Sequence, residues 1–129
     1  MVARWVAVAG VLGLTAVAAG AFGAHALKTR LEPKDLQAYE TAVRYQMIHA
    51  LALVGLAWWM TQHPSSLTRA AAFCMVLGVV AFSGSIYALV LTHWRWLGPV
   101  TPAGGLLMMI GWLLWIVSAI RRTGAVASP

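Results

Sequence analysis

The chain has 129 residues, of which 61% are hydrophobic and only 9% charged, with a formal net charge of +6. Soluble domains carry roughly 25% charged residues, so a chain this poor in charge could not cover its own surface in water. Its basic residues stand at the ends of apolar runs and form no patch interleaved with aromatics, so the net charge is weak evidence for a nucleic-acid surface; the lone Cys74 excludes an intramolecular disulfide.

The charges leave four empty windows: Arg4 to Lys28, Arg44 to Arg69, Arg69 to Arg95 and Arg95 to Arg121. Each is long enough, at 1.5 Å per helical residue, to cross a hydrocarbon core of about 30 Å. The expectation is one all-α domain over residues 1–129, an integral membrane four-helix bundle, with crossings near 5–27, 43–61, 69–91 and 102–120. The first window has the charged start and apolar middle of a signal peptide, but its apolar run exceeds an ordinary signal core, so a retained helix is expected. Along it Ala16, Gly20 and Ala24 recur every four residues, with Gly23 beside them. Small residues at that spacing let a second helix approach closely.

Pro33 disfavours helix at Glu32 and suits a first helical turn. From there Leu36, Tyr39, Val43 and Met47 recur at helical spacing. That pattern predicts an amphipathic interfacial helix between the first and second crossings, running on into the second. Glu40 precedes Arg44 by four residues, the favourable order for a helical ion pair. After Pro64, Ser65, Ser66 or Thr68 is available to cap the third helix. Gly78 and Gly84 in that helix, and Gly104 and Gly105 at the start of the fourth, again predict close packing. Thr101 before Pro102 reads as an N-cap and first helical residue. Trp5, Trp58, Trp59, Trp94 and Trp96 fall at or near predicted helix ends, as interfacial belts do, while Trp112 and Trp115 lie deeper.

Threading the helices up and down puts both chain ends on one face, side A. The opposite face, side B, gathers the polar candidates: His25, Glu40, Arg44, Tyr45, Gln46, His49, Tyr87 and Thr101. Ionisable groups within a span are rare enough to count as functional candidates. Four basic residues on side A against five on side B leave the orientation open. His25 and His49 could bond each other's helices or a loop carbonyl, ligate a metal or haem, line a polar pocket, or relay protons. Nothing in the spacing demands a third metal ligand, and no serine has a base and an orienting acid in view. No metal, cofactor, nucleic-acid partner or enzymatic activity is therefore expected.

Three segments taken together, "GAFGAHALK", "YETAVRYQMIHALAL" and "FSGSIYAL…LGPVTPAGGLLMMIGWL", resemble family 423 of the domains of unknown function. The resemblance implies four transmembrane helices, a bacterial inner-membrane setting and relatives in eukaryotes, and no known activity. Three functions fit these readings. The foremost is binding of a lipid headgroup or small hydrophobic metabolite in a polar pocket at one membrane face, with membrane lipids as partners. The second is an accessory or scaffolding subunit, packing on a larger complex or on copies of itself. The third is a small transporter or proton-handling protein.

Overall fold

The computed structural model describes residues 1–126. It holds α1 (Val2–Phe22), α2 (Pro33–Gln62), α3 (Ser66–Thr92) and α4 (Val100–Val126). A π-helical turn, Gly23–Leu27, extends α1, and a 3-10 turn, Arg95–Leu97, precedes α4. Among the described residues there is no strand. The stretches Val2–Leu27, Ser66–Thr92 and Arg95–Thr123 are long and apolar enough to cross a membrane. Large apolar side chains line their outer faces: Leu14, Val80 and Leu113 are among the exposed ones. In water such faces would be a liability; in lipid they are the solvated surface. The protein is an all-α membrane bundle.

α2 is the longest helix, at 30 residues, yet it is not among the three most apolar stretches. Arg44, Tyr45, Gln46 and His49 lower its hydropathy. It begins at Pro33 and runs unbroken, so the amphipathic segment and the apolar segment expected from the sequence form one element.

Consecutive helices pack as antiparallel neighbours: α1 on α2, α2 on α3, and α3 most extensively on α4. Short connections force this order. The α2–α3 link is tightest, and Ser65 caps α3 by a reciprocal pair with Thr68. Thr101 is not the cap expected of it; α4 starts one residue earlier and holds Thr101 in its first turn. Two apolar clusters form the core. Ala9, Leu53, Leu56, Met60, Ala71, Ala72 and Met75 fill the side A half. Leu27, Tyr39, Ala42, Ile86 and Val90 fill the side B end. A polar layer on α2, Gln46 and His49, lies between them.

Missing side chains set the helix separations. A Cβ on Gly78 would sit 2.6 Å from Met108 Cγ and 2.7 Å from Met108 N, and one on Gly104 would collide with the backbone nitrogen of Phe82. The α3–α4 seam is therefore backbone against backbone. Gly111 joins it: a Cβ there would meet Met75 Cγ at 2.7 Å. On the other flank Ala16 is fully buried and Gly20 meets Val43. Three expected packing positions stand apart from the seams. Gly84 faces open space, Gly105 makes only an ordinary contact with Phe82, and Ala24 is exposed.

Candidate functional site

The side B polar residues separate into an interior set and a rim set. Gln46 is the centre of the interior set. Its Nε2 donates to the Leu12 carbonyl at 2.9 Å and to Thr15 Oγ1 at 2.7 Å, both on α1. Its Oε1 accepts from the Tyr87 hydroxyl at 2.8 Å, on α3. One buried amide thus ties three helices. Tyr39 supports it nearby: its hydroxyl donates to the Ala19 carbonyl at 2.7 Å, and its ring lies against Gly23. The π-helical turn begins at that glycine, where a foreign hydroxyl bonds the α1 backbone, an ordinary cause of a helix irregularity. Ser83 Oγ donates to the Ala42 carbonyl at 2.7 Å and joins α3 to α2.

His49 is 5% exposed and faces α4. Trp112 Nε1 donates to its Nε2 at 3.1 Å, and its Nδ1 stands 2.8 Å from the Tyr45 carbonyl. An indole N–H only donates and a carbonyl only accepts, so the ring is neutral with its proton on Nδ1. Both nitrogens then have protein partners. We expect nitrogen-15 NMR of labelled protein to show Nδ1–H with an Nε2 lone pair, and the Trp112→Phe variant to lose the hydrogen-bonded shift at Nε2. The opposite tautomer in the wild type would overturn this assignment. The sequence places Trp112 deeper than the interfacial tryptophans and gives no sign that it holds a histidine.

Contact between His25 and His49, one of the readings the sequence left open, does not occur. Gly13 lies opposite Ala50 and Gly20 opposite Val43, which fixes the α1–α2 register. His49 is then level with residue 14, so His25 stands about 16 Å further along the axis at 1.5 Å per residue. His25 is exposed at the side B end. Tyr45 is 41% exposed and its ring packs on Phe82, centroids 4.8 Å apart. Thr101 Oγ1 lies 2.6 Å from Ser85 Oγ, which donates onward to the Phe82 carbonyl, so Thr101 fastens α4 to α3. Among the described residues no buried side-chain nitrogen or oxygen lacks a partner.

Open space lies at the rim instead. A groove of about 290 Å³ between α1 and α2 is lined by Gly20, Gly23, Ala24, Tyr39, Glu40, Val43 and Arg44. Absent side chains on α1 form its floor, and Glu40 and Arg44, both exposed, stand along its wall one helical turn apart. A larger groove of about 740 Å³ runs from the start of α2 to the start of α4, with Lys34, Asp35, His93, Arg95 and Thr101 on its lining. Side A is less bare than the sequence suggested. A groove of about 360 Å³ there is lined by Met1, Val2, Met60, Pro64, Ser65, Thr68 and Arg69.

A family model described as "Protein of unknown function (DUF423)" matches residues 19–105. The chain is 43% identical over 111 residues to a UPF0382 membrane protein of Staphylococcus haemolyticus, covering 86% of this chain and 90% of the relative. It is 41% identical over 113 residues to the UPF0382 inner membrane protein YgdD of Escherichia coli K12, covering 88% of this chain and 86% of the relative. A Staphylococcus saprophyticus UPF0382 membrane protein is 38% identical over 108 residues, covering 84% of this chain and 89% of that relative. No solved structure matches the chain.

Proposed function

We propose, from the premise that the chain belongs to the DUF423 family, that it is a multi-pass inner-membrane protein that binds a phospholipid headgroup in the groove between α1 and α2. The Escherichia coli relative's name gives the inner membrane, and three long apolar helices agree with it. α2 makes the fourth crossing, its first turns lying in the interface. The observation that carries the reading is the division of polar groups. Gln46, His49 and Tyr87 are bonded to helix neighbours, whereas Glu40 and Arg44 open onto a groove.

The groove suits an amphiphile. Arg44 offers planar, permanent charge to a phosphate, and Glu40 offers a carboxylate to an ammonium. Together they fit a zwitterionic headgroup such as phosphoethanolamine, while the Gly20–Gly23–Ala24 floor lets the ligand approach the α1 backbone. The reading is of binding with no chemical step. It also departs from the pocket first expected, which drew on His25 and His49.

Purified wild-type protein is expected to retain phospholipid that mass spectrometry detects. The Arg44→Ala variant should retain about five-fold less, the effect of about 1 kcal/mol for one basic residue at a headgroup. Glu40→Gln should shift the retained species from ethanolamine toward glycerol headgroups. Equal phospholipid content in wild type and Arg44→Ala would sink the proposal.

A further inference from the structure

We propose a second lipid site, independent of Arg44: the large side B groove binds the headgroup of an anionic phospholipid. At about 740 Å³ it has room for a headgroup and the upper part of its acyl chains. Lys34 from the first turn of α2 and Arg95 from the 3-10 turn reach it from different elements, so the groove brings together cations 61 positions apart in sequence, with Asp35 the one carboxylate on its lining. That balance favours a net negative headgroup over a zwitterion.

Two further observations place the groove at headgroup depth. Trp94 and Trp96, flanking Arg95, are 54% and 69% exposed and stack with centroids 6.2 Å apart. An exposed indole pair beside a helix end is the mark of a membrane interface. Below the cations the lining turns apolar, with Leu89 and Val90 on α3. The bend that puts Arg95 there is made by His93, which ends α3 in the left-handed conformation at φ 58. That conformation is uncommon for a residue with a side chain. It turns the chain off the α3 axis, so Arg95 returns to the groove. Thr101 is on the lining but is already bonded to Ser85, and it takes no part in binding.

The test supplies purified protein with equimolar phosphatidylglycerol and phosphatidylcholine and counts bound lipid by native mass spectrometry. Wild type should prefer phosphatidylglycerol. The Lys34→Ala/Arg95→Ala double variant should lose that preference by about thirty-fold, two basic residues' effect. Asp35→Asn, which removes the opposing charge without touching a cation, should strengthen it, and this arm holds even if the double variant fails to fold. Equal retention of both lipids by wild type overturns the site. So does displacement of phosphatidylglycerol by millimolar inorganic phosphate, which would assign the groove to free phosphate. Loss confined to Arg44→Ala, with the double variant at the wild-type level, overturns this site and leaves the α1–α2 groove standing.

Discussion

Replacing Gly104 by alanine is expected to destabilise the bundle by about 3 kcal/mol, the upper end of the ordinary overpacking range. The new methyl would stand 2.8 Å from the Gly78 carbonyl oxygen and 2.8 Å from Phe82 Cα. Both are backbone atoms, and a backbone in a helix cannot rotate away as a side chain can. α4 must move off α3, and with it the Trp112 bond to His49 and the Thr101 bond to Ser85. Unfolding by sodium dodecyl sulfate in mixed micelles, followed by the summed fluorescence of the seven tryptophans, would measure the loss. Gly84→Ala is the control. Nothing lies within 4 Å of its added methyl, so it should be neutral or more stable by up to about 1 kcal/mol from helix propensity. Equal stability of the two variants would refute the close seam.

The second large effect is expected at Gln46. Gln46→Leu keeps the volume but leaves the Tyr87 hydroxyl without its acceptor, at a cost of about 2 kcal/mol for an orphaned buried donor. Adding Tyr87→Phe removes the orphan, so the double variant should be more stable than Gln46→Leu alone, by about 1 kcal/mol. The non-additivity is the signature of direct contact. If the two losses simply sum, the amide and the phenol do not meet. Thr15 is buffered against the change because its hydroxyl also donates to the Val11 carbonyl at 2.8 Å.

The helices were legible because lipid writes a coarse signal. Arg4, Lys28, Arg44, Arg69, Arg95 and Arg121 bracket the apolar runs, and bracketing needs no knowledge of rotation. The partners of individual groups were not legible, because each residue turns 100° about the helix axis and a single error in facing changes the neighbour. His49 and His25 share a side of the threading, which left contact between them open. The register of Gly13 on Ala50 separates them, and the rotation of α2 turns His49 toward Trp112. Thr101 before Pro102 carried a sound capping signal, yet the Ser85 hydroxyl holds it inside the first turn of α4. Gly111 is flanked by bulky residues in "MIGWL", and its small partners on the same face, Gly104 and Ser118, lie seven positions away, two turns rather than one, so the stripe is harder to see than one that repeats every four. Lys34 and Arg95 each read as an ordinary snorkelling cation, and only the fold puts them on one groove.

The three-way bonding of Gln46 and the indole cover on His49 bear on how the chain is made. On the proposed four-crossing threading, α2 leaves the ribosome after α1 but before α3 and α4. The Leu12 carbonyl and Thr15 are already present to receive Gln46, while Tyr87 and Trp112 follow 41 and 63 residues behind their partners. The nascent second helix therefore carries unmatched hydrogen-bonding groups through a waiting period, and α1 is the one helix able to shelter them. Insertion of the first two helices as a hairpin would shorten their exposure, and shearing Gln46 from α1 would show first as degradation during synthesis.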